Sequence, residues 1–254
     1  MDIVLPYKKK YRIEVSDVDF MKTLKLSVLF NYFQETAEMD VENRGFGIED
    51  FKNNFNFAWI LTRIKVEIFR NPFFGEEILI ETWQQEQRKL DFERDFLARD
   101  SAGNIIAAAV SNWVVIDISQ RKIVKTELIG YSPNTPGIKR AIDCRLGKLK
   151  AFGQKLEVVY RKVIGYSDID FNGHLNNSRY VDYGMDCFNV EDHKKYETKS
   201  IEINYINEAL PGETLVLYKD MSALDSNLIY IEGINEKSEK VVFRSQVEIR
   251  EREG

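Results

Sequence analysis

The sequence lacks the hydrophobic segments that mark membrane and secreted proteins. No run of about 18 apolar residues occurs, so no helix is predicted to cross a membrane. The N-terminal segment holds too short an apolar stretch, with its charges on the wrong side, for a secretory signal. These absences predict a cytoplasmic protein with no membrane partner.

Cysteine and net positive charge are also scarce. The two cysteines, Cys144 and Cys187, have the spacing of neither a metal site nor a redox motif, so both are predicted to be reduced thiols. Lys and Arg number 36 against 41 Asp and Glu, which gives no support to nucleic-acid binding. A glycine-rich phosphate loop and a dinucleotide fingerprint are missing as well. We therefore expect no metal, no other cofactor and no nucleic-acid partner.

What the sequence does contain is an internal repeat. Ser16–Phe20 reads SDVDF, and Ser167–Phe171, which lies 151 residues later, reads SDIDF. The similarity continues at the same spacing in three identical pairs: Leu24 and Leu175, Ser27 and Ser178, and Tyr32 and Tyr183. Two copies of one fold are the favoured interpretation, and the alternative is a single mixed domain with a chance resemblance.

The spacing between the copies shortens further along the chain. Gly-Glu pairs begin at Gly75 and Gly212, which are 137 residues apart. We attribute the difference to a longer connection between helix and strand in the first copy, around Asn43–Ala58. The predicted organisation is an N-terminal domain (1–130), a turn-rich and basic linker (131–155) and a C-terminal domain (156–254).

Each copy predicts one helix followed by a series of antiparallel strands, which is an α+β fold. Helical spacing of apolar residues begins at Leu26 in the first copy, with Gly45 placed to end the helix, and it extends from Val181 to Phe188 in the second. Strands are predicted where β-branched and aromatic residues alternate or cluster: 64–68, 77–83, 92–99, 105–117, 201–205, 213–221, 228–234 and 241–249. A single helix of this kind needs the sheet to bury its apolar face.

Differences between the copies locate a candidate active site. Both copies keep the second aspartate of the motif, so Asp19 and Asp170 have a structural explanation as acceptors of backbone N–H groups in a turn. Three other positions change their chemistry: Met21 becomes Asn172, Thr23 becomes His174, and Asn71 becomes Glu208. The first copy has an apolar group, a hydroxyl and an amide at these positions. An amide, an imidazole and a carboxylate are the groups that hydrolysis of an acyl thioester needs.

The chemistry assigns roles to these groups. His174 has the reference pKa of a base at neutral pH, and Glu208 either orients the imidazole or takes the proton of water itself. Asn172 donates to the carbonyl oxygen or fixes the water, and backbone N–H groups near Leu175–Asn177 complete an oxyanion site. The alternatives are that His174 caps a helix and that Glu208 is a solvated turn carboxylate. His193 is predicted on the surface, and Cys187 is predicted as a core residue on the helix rather than a nucleophile.

Asp170–Tyr180 reads DFNGHLNNSRY, and here the chain resembles the acyl-acyl carrier protein thioesterases of plants and bacteria. The resemblance covers nearly the whole chain and implies a tandem double hot-dog fold, in which each copy has a long central helix wrapped by an antiparallel sheet. It implies catalysis by Asn172, His174 and Glu208, with a catalytic or supporting role for Asp170. Many plant members have cysteine where this chain has Ala209, so direct attack of water is preferred to a covalent mechanism.

The resemblance also implies a substrate and a partner. The expected reaction is hydrolysis of fatty acyl-acyl carrier protein in fatty acid biosynthesis, by a monomer or homodimer, with the acyl chain selected mainly by the N-terminal domain. Candidate pocket residues are Met21, Leu29, Phe33 and Ile64, although ordinary core packing explains each equally well. Candidate contacts for the acidic carrier protein are Arg140, Arg145, Lys148, Lys150, Arg161 and Lys162. An acyl-coenzyme A thioesterase and a non-catalytic acyl-binding hot-dog protein are the alternatives.

Overall fold

The computed structural model describes residues 5–85, 87–131, 138–150 and 156–252. The chain forms two compact units, unit 1 (Met1–Leu146) and unit 2 (Gly147–Gly254). Part of the predicted linker belongs to unit 1, because Ile142 and Leu146 pack against Ala108 and Val110. The remainder of that linker lies partly outside the described residues, at 132–137 and 151–155.

Unit 1 is one long helix packed on an antiparallel sheet. Helix α1 (Leu26–Glu42) has 17 residues and buries the predicted stripe, including Leu29, Phe30 and Phe33. Gly45 follows it with a positive φ of 78°, a conformation that glycine adopts without strain. The sheet order is β1-β3-β4-β5-β2, with β6 paired to β5. The strands are β1 (Tyr7–Arg12), β2 (Phe57–Ile68), β3 (Glu77–Gln84), β4 (Phe92–Arg99), β5 (Ile105–Asp117) and β6 (Lys122–Ile123).

Unit 2 repeats this arrangement with a shorter helix. Helix α3 (Asn177–Met185) has nine residues, and α4 (Val190–Lys195) follows it. The sheet order is β7-β9-β10-β11-β8, which is the order of unit 1 without β6. The strands are β7 (Glu157–Val163), β8 (Tyr196–Tyr205), β9 (Thr214–Asp220), β10 (Leu228–Asn235) and β11 (Val241–Glu251). The prediction of one helix and an antiparallel sheet, written twice along the chain, is confirmed.

The end of α3 differs from the prediction. The helix stops at Met185, so Cys187 and Phe188 follow it rather than lie on it. The physical reason is that Asn189 accepts a hydrogen bond from the N–H of Asp192 and begins a new helix, α4. The apolar spacing therefore continued past the last residue that the backbone keeps helical.

The difference in length between the copies also lies in an unexpected place. The predicted longer connection does exist in unit 1, where α2 (Ile48–Asp50) and a π-helical turn (Phe51–Phe55) precede β2. The larger contribution comes from the helices, because α1 has 17 residues and α3 has nine. None of the helices in the described ranges is long and apolar enough to span a membrane.

Candidate active site

The turn before α3 is organised by Asp170. Its Oδ1 accepts the backbone N–H of Asn172 at 2.9 Å and of His174 at 3.2 Å, and its own N–H donates to the carbonyl oxygen of His174. Gly173 completes the turn with a positive φ of 82°. Asp170 thus holds the backbone on which the candidate catalytic residues stand.

Unit 1 contains the same turn without the same side chains. Asp19 Oδ1 accepts the N–H groups of Met21 and Thr23 at 2.9 and 3.0 Å, and its Oδ2 accepts the Thr23 hydroxyl at 2.9 Å. Lys22 takes the left-handed conformation, with φ of 61°, where unit 2 has Gly173. The structural explanation proposed for this aspartate in both copies is therefore visible in both turns.

A single backbone hydrogen bond brings His174 to Glu208. Leu175 N–H donates to the carbonyl oxygen of Ala209 at 3.1 Å, which fixes the residues before each of them side by side. His174 Nε2 lies 3.8 Å from Glu208 Oε2, and the two side chains are 38% and 42% exposed. The pair is thus close enough for electrostatic interaction, is open to water, and needs a small movement to form a direct hydrogen bond.

Unit 1 has the corresponding hydrogen bond, from Leu24 N–H to the carbonyl oxygen of Pro72 at 2.9 Å. Leu24 and Leu175 are 151 residues apart, and Pro72 and Ala209 are 137 residues apart, so this hydrogen bond joins equivalent positions in the two units. Thr23 and Asn71 therefore occupy the positions of His174 and Glu208. Both spacings found in the sequence meet at one place in each unit.

Asn172 stands on the same turn with an exposed side chain. Among the described residues its amide group makes no hydrogen bond, so it is available to a ligand. Two of the backbone donors expected from the sequence already have partners. Leu175 N–H donates to the carbonyl oxygen of Ala209, and Asn176 N–H donates to the carbonyl oxygen of Asp168. Of the three predicted N–H donors, those of Leu175 and Asn176 are thus already used within the protein, and the Asn172 amide is a further candidate donor.

Two tyrosines that the sequence reasoning did not single out lie behind the pair. Tyr180 is buried, which raises the pKa of its hydroxyl well above the ordinary value, and the nearby carboxylates of Glu208 and Asp170 raise it further. Its ring packs against that of Tyr205, whose hydroxyl donates to the carbonyl oxygen of Asn177 at 3.1 Å. The same spacings place Leu29 and Ile68 at these positions of unit 1, so the exchange of apolar for phenolic side chains was a detectable signal.

The other candidates from the sequence have separate places. Cys187 Sγ donates to the carbonyl oxygen of Tyr183, and burial raises the pKa of its thiol to about 12, which does not suit a nucleophile. His193 is half-buried rather than on the open surface as predicted, with Nε2 3.1 Å from the carbonyl oxygen of Met185 and its ring against Phe188. Both cysteines are free. Within the described ranges, no cluster of three or more His, Cys, Asp or Glu side chains is arranged to hold a metal.

Unit 1 has a cavity beside the C-terminal half of α1, with about 360 Å³ of empty space. Its walls include Ala37, Val41, Trp59 and Trp113, and its polar groups come from Gln34, Glu38, Gln84 and Arg94. None of the four predicted pocket residues lines it. Leu29, Phe33 and Ile64 are buried core residues, and Met21 is 36% exposed.

The predicted basic contacts separate into paired and unpaired residues. Arg140 lies 3.1 Å from Glu93, Arg161 lies 2.9 Å from Glu236, and Lys162 lies 3.4 Å from Asp168. Arg145, Lys148 and Lys150 are exposed and have no ion-pair partner in the part of the chain that the structure describes. Of the six predicted contacts, these three are the ones without an ion pair among the described residues.

Comparison with known proteins decides the family. Residues 5–128 match the acyl-ACP thioesterase N-terminal domain, and residues 154–253 match the acyl-ACP thioesterase C-terminal domain, where ACP is acyl carrier protein. The chain belongs to the acyl-ACP thioesterase family. Among curated relatives of this family, oleoyl-acyl carrier protein thioesterase 2, chloroplastic, of Arabidopsis thaliana is 26% identical over 80% of this chain. The chain spans 59% of that relative's length.

Solved structures of the family have the same fold. An acyl-ACP thioesterase from Bacteroides thetaiotaomicron superimposes with a TM-score of 0.85 and is 28% identical, over 96% of this chain and 97% of that one. A 12:0-ACP thioesterase from Umbellularia californica has a TM-score of 0.83 at 20% identity, over 98% of both chains. The predicted hot-dog fold is therefore confirmed.

Proposed function

We propose that this chain hydrolyses the thioester of fatty acyl chains carried on acyl carrier protein, releasing free fatty acid and holo-acyl carrier protein in fatty acid biosynthesis. The observation that carries the proposal is the His174–Glu208 pair, 3.8 Å apart, at positions where the duplicated unit has Thr23 and Asn71. Family membership and the printed names of the relatives support the substrate. We expect the reaction in the cytoplasm, as the sequence predicts.

The proposed first step is attack of water on the thioester carbon. The oxygen of water forms a bond to that carbon while its proton passes to His174 Nε2, with Glu208 stabilising the imidazolium that results. The 3.8 Å approach of Nε2 to Oε2 supports this division of roles, since a carboxylate at that distance attracts the positive charge that forms on the ring during the reaction. Glu208 as the direct base, with His174 orienting it, is the alternative within the same pair.

The carbonyl oxygen becomes negative in the tetrahedral intermediate and needs a donor. We assign this role to the side-chain amide of Asn172, because the N–H groups of Leu175 and Asn176 are already donated within the protein. Collapse of the intermediate breaks the carbon–sulfur bond, and the departing thiolate takes the proton from the imidazolium. Water has then supplied the hydroxyl of the fatty acid and the hydrogen of the thiol.

Asp170 enters this mechanism as a positioning residue. Its Oδ1 accepts two backbone N–H groups of the turn, those of Asn172 and His174, so it fixes both candidate catalytic side chains at once. Asp19 has the same contacts in the unit without the polar set, which supports a role in the turn rather than in the chemistry.

The cavity of unit 1 is our candidate site for the acyl chain. Trp59, Trp113 and Val41 offer it apolar walls, which suit a hydrocarbon chain. Replacing Val41 with Phe is expected to reduce the space and shift the products toward shorter fatty acids. Analysis of the fatty acids released from a mixture of acyl chains measures the shift.

The carrier protein is proposed to dock on Arg145, Lys148 and Lys150, which are exposed and unpaired among the described residues. Changing all three to Glu is expected to raise KM for the acyl-carrier-protein substrate at least tenfold at low salt, with little effect on kcat, because the acidic carrier is then repelled. The paired Arg161→Glu variant is the matched control. An equal rise for an acyl-coenzyme A substrate would argue against a docking role.

Rates with matched acyl-carrier-protein and acyl-coenzyme A substrates test the function itself. We expect kcat/KM to favour the carrier-protein form, and His174→Ala to abolish turnover of both. A strong preference for coenzyme A would select that alternative. Tight acyl binding without any turnover by the wild-type protein would select a non-catalytic binding protein.

A further inference from the structure

Unit 2 contains a second cavity, larger than that of unit 1, with about 500 Å³ of empty space. It lies beside the C-terminal end of α3, and its apolar lining includes Met185, Phe188, Met221, Leu224, Ile229 and Ile249. Its polar groups come from Asp192, His193, Glu197 and Thr198. Ile229 and Ile249 are buried, whereas Met221 and Leu224 are 44% and 38% exposed. The cavity therefore combines buried and exposed apolar side chains with a smaller polar part.

This cavity lies away from the candidate active site. His174 precedes the first residue of α3, and Met185 is the last. A nine-residue helix at about 1.5 Å per residue separates the two ends by roughly 13 Å. The proposed reaction uses none of the residues that line the cavity.

Strand register makes the two cavities counterparts. In unit 1, Gln84 of β3 pairs with Arg94 of β4, and Leu61 of β2 pairs with Trp113 of β5. The repeat places Met221 and Thr198 at the positions of Gln84 and Leu61. In unit 2, Thr198 of β8 pairs with Ile249 of β11. Extending the register of β9 and β10 by one residue beyond the pair Asp220 and Tyr230 places Met221 opposite Ile229.

The lining changes from polar to apolar between these counterparts. Gln34, Gln84 and Arg94 of unit 1 are replaced in unit 2 by Met185, Met221 and Ile229. In unit 1 the guanidinium of Arg94 is buried and paired with Asp40 at 2.8 Å, so that wall is polar. At these three positions unit 2 has only apolar side chains, which form a surface suited to hydrocarbon beside the polar groups of Asp192, His193 and Glu197.

We propose that the cavity of unit 2 is a second lipid site that takes one unbranched alkyl chain and is separate from the substrate site. Burial of a hydrocarbon tail against Met185, Ile229 and Ile249 supplies the driving force, since it removes apolar surface from water on both partners. Methionine side chains adapt to a flexible chain, and two of them, Met185 and Met221, line this site. The proposal does not require the thioesterase reaction.

Counting bound chains tests the proposal without turnover. Equilibrium dialysis of the intact wild-type protein with radiolabelled palmitate, and separately with hexadecanol, is expected to give two chains per molecule, one for each cavity. The arm that binds more tightly to the second site identifies the head group it prefers. The matched variants are Met185→Trp and Gln34→Trp, which add the same bulk at equivalent positions of α3 and α1.

Each variant should lose one of the two chains. Met185→Trp is expected to bind one chain and keep the thioesterase rate and product profile of the wild type, whereas Gln34→Trp changes the product profile. Met221→Gln, at the exposed rim, should weaken the second site about tenfold through loss of apolar contact. This milder variant keeps the test decisive if the tryptophan disturbs folding.

Three results would overturn the proposal. One is a single bound chain in the wild-type protein that Gln34→Trp removes and Met185→Trp leaves in place. Another is unchanged binding in both Met185→Trp and Met221→Gln. The third is a change in product profile with Met185→Trp, because the cavity would then hold the tail of the substrate itself. Absence of thioesterase activity would refute the proposed function and leave the binding count interpretable.

Discussion

The two units have the same frame and differ in the side chains at both ends of the central helix. At the start of the helix, unit 2 has His174 and Glu208 where unit 1 has Thr23 and Asn71. At the end of the helix, unit 1 has Arg94 in its cavity where unit 2 has Ile229. The frame-forming groups, such as Asp19 and Asp170, are kept in both. Duplication therefore allowed the chemical site and the cavity to change independently in each copy.

The largest expected effect comes from making the active turn of unit 2 resemble that of unit 1. His174→Thr should lower kcat by about 10²–10⁴-fold, because the general base is lost while the turn held by Asp170 remains. The matched change Thr23→Ser keeps the hydroxyl that bonds Asp19 and should leave kcat unchanged. Steady-state kinetics on acyl-carrier-protein substrate measure both. Equal losses of kcat in the two variants would contradict the placement of the general base in unit 2 alone.

Core packing is the next point of comparison. Phe33 of α1 is fully buried against Phe96, so Phe33→Ala should lower the free energy of unfolding by about 3–5 kcal/mol through lost contacts and a cavity. Urea denaturation followed by tryptophan fluorescence measures the change. A loss below about 1 kcal/mol would mean that the long helix of unit 1 is not anchored by this residue.

The buried carboxylate of Asp95 should make the stability of unit 1 depend on pH. Burial is the main cause that raises the pKa of Asp95 to about 6, from an ordinary value of 3.8. Between these values the folded protein holds the proton more firmly than the unfolded chain, so this group's contribution to stability falls as pH rises from about 4 to about 6. Between pH 4 and pH 7, the free energy of unfolding of Asp95→Asn should therefore rise by on the order of 2 kcal/mol relative to that of the wild type.

Urea denaturation of both proteins at the two pH values measures that gain. The difference between them is the relevant quantity, since other carboxylates change the stability of both proteins alike. A constant difference across this pH range would show that Asp95 is ionised throughout.

The smallest expected effect lies at Gly184, which occupies the position of Phe33 in the repeat. A β-carbon there would lie 3.9 Å from Ile231 Cδ1, an ordinary contact, and the residue is inside helix α3. Gly184→Ala should therefore raise the free energy of unfolding by about 0.5–1 kcal/mol, because alanine loses less backbone entropy in a helix. Thermal denaturation measures it. Destabilisation would indicate that the helix packs more closely on the sheet than this distance allows.

Much of the fold was predictable because its signals are local. The strand predictions at 92–99 and 105–117 coincide with β4 and β5, since alternation and β-branched composition reflect the side chains' immediate surroundings. The end of α3 was not predictable from apolar spacing, because Phe188 continues the pattern after the backbone has left the helix. The capping side chain of Asn189, three residues before Asp192, was the signal that competed with it.

The candidate site was predictable only in part. Comparison of the copies selected His174 and Glu208, which the fold brings to 3.8 Å, and their catalytic role stays a prediction. Two of the three backbone N–H groups expected to serve the oxyanion, those of Leu175 and Asn176, donate instead to the carbonyl oxygens of Ala209 and Asp168. A hydrogen bond between distant segments leaves no trace in the spacing of either one.

By itself the sequence determined that one fold occurs twice, which side chains diverge between the copies, and the family to which the chain belongs. Those properties depend on residue type and order, which the sequence contains completely. Only the tertiary structure decided that Leu175 meets Ala209, that Asn172 keeps its amide free among the described residues, and that Met185, Ile229 and Ile249 surround one cavity. The physical reason is that contacts and empty space arise from packing between segments far apart along the chain.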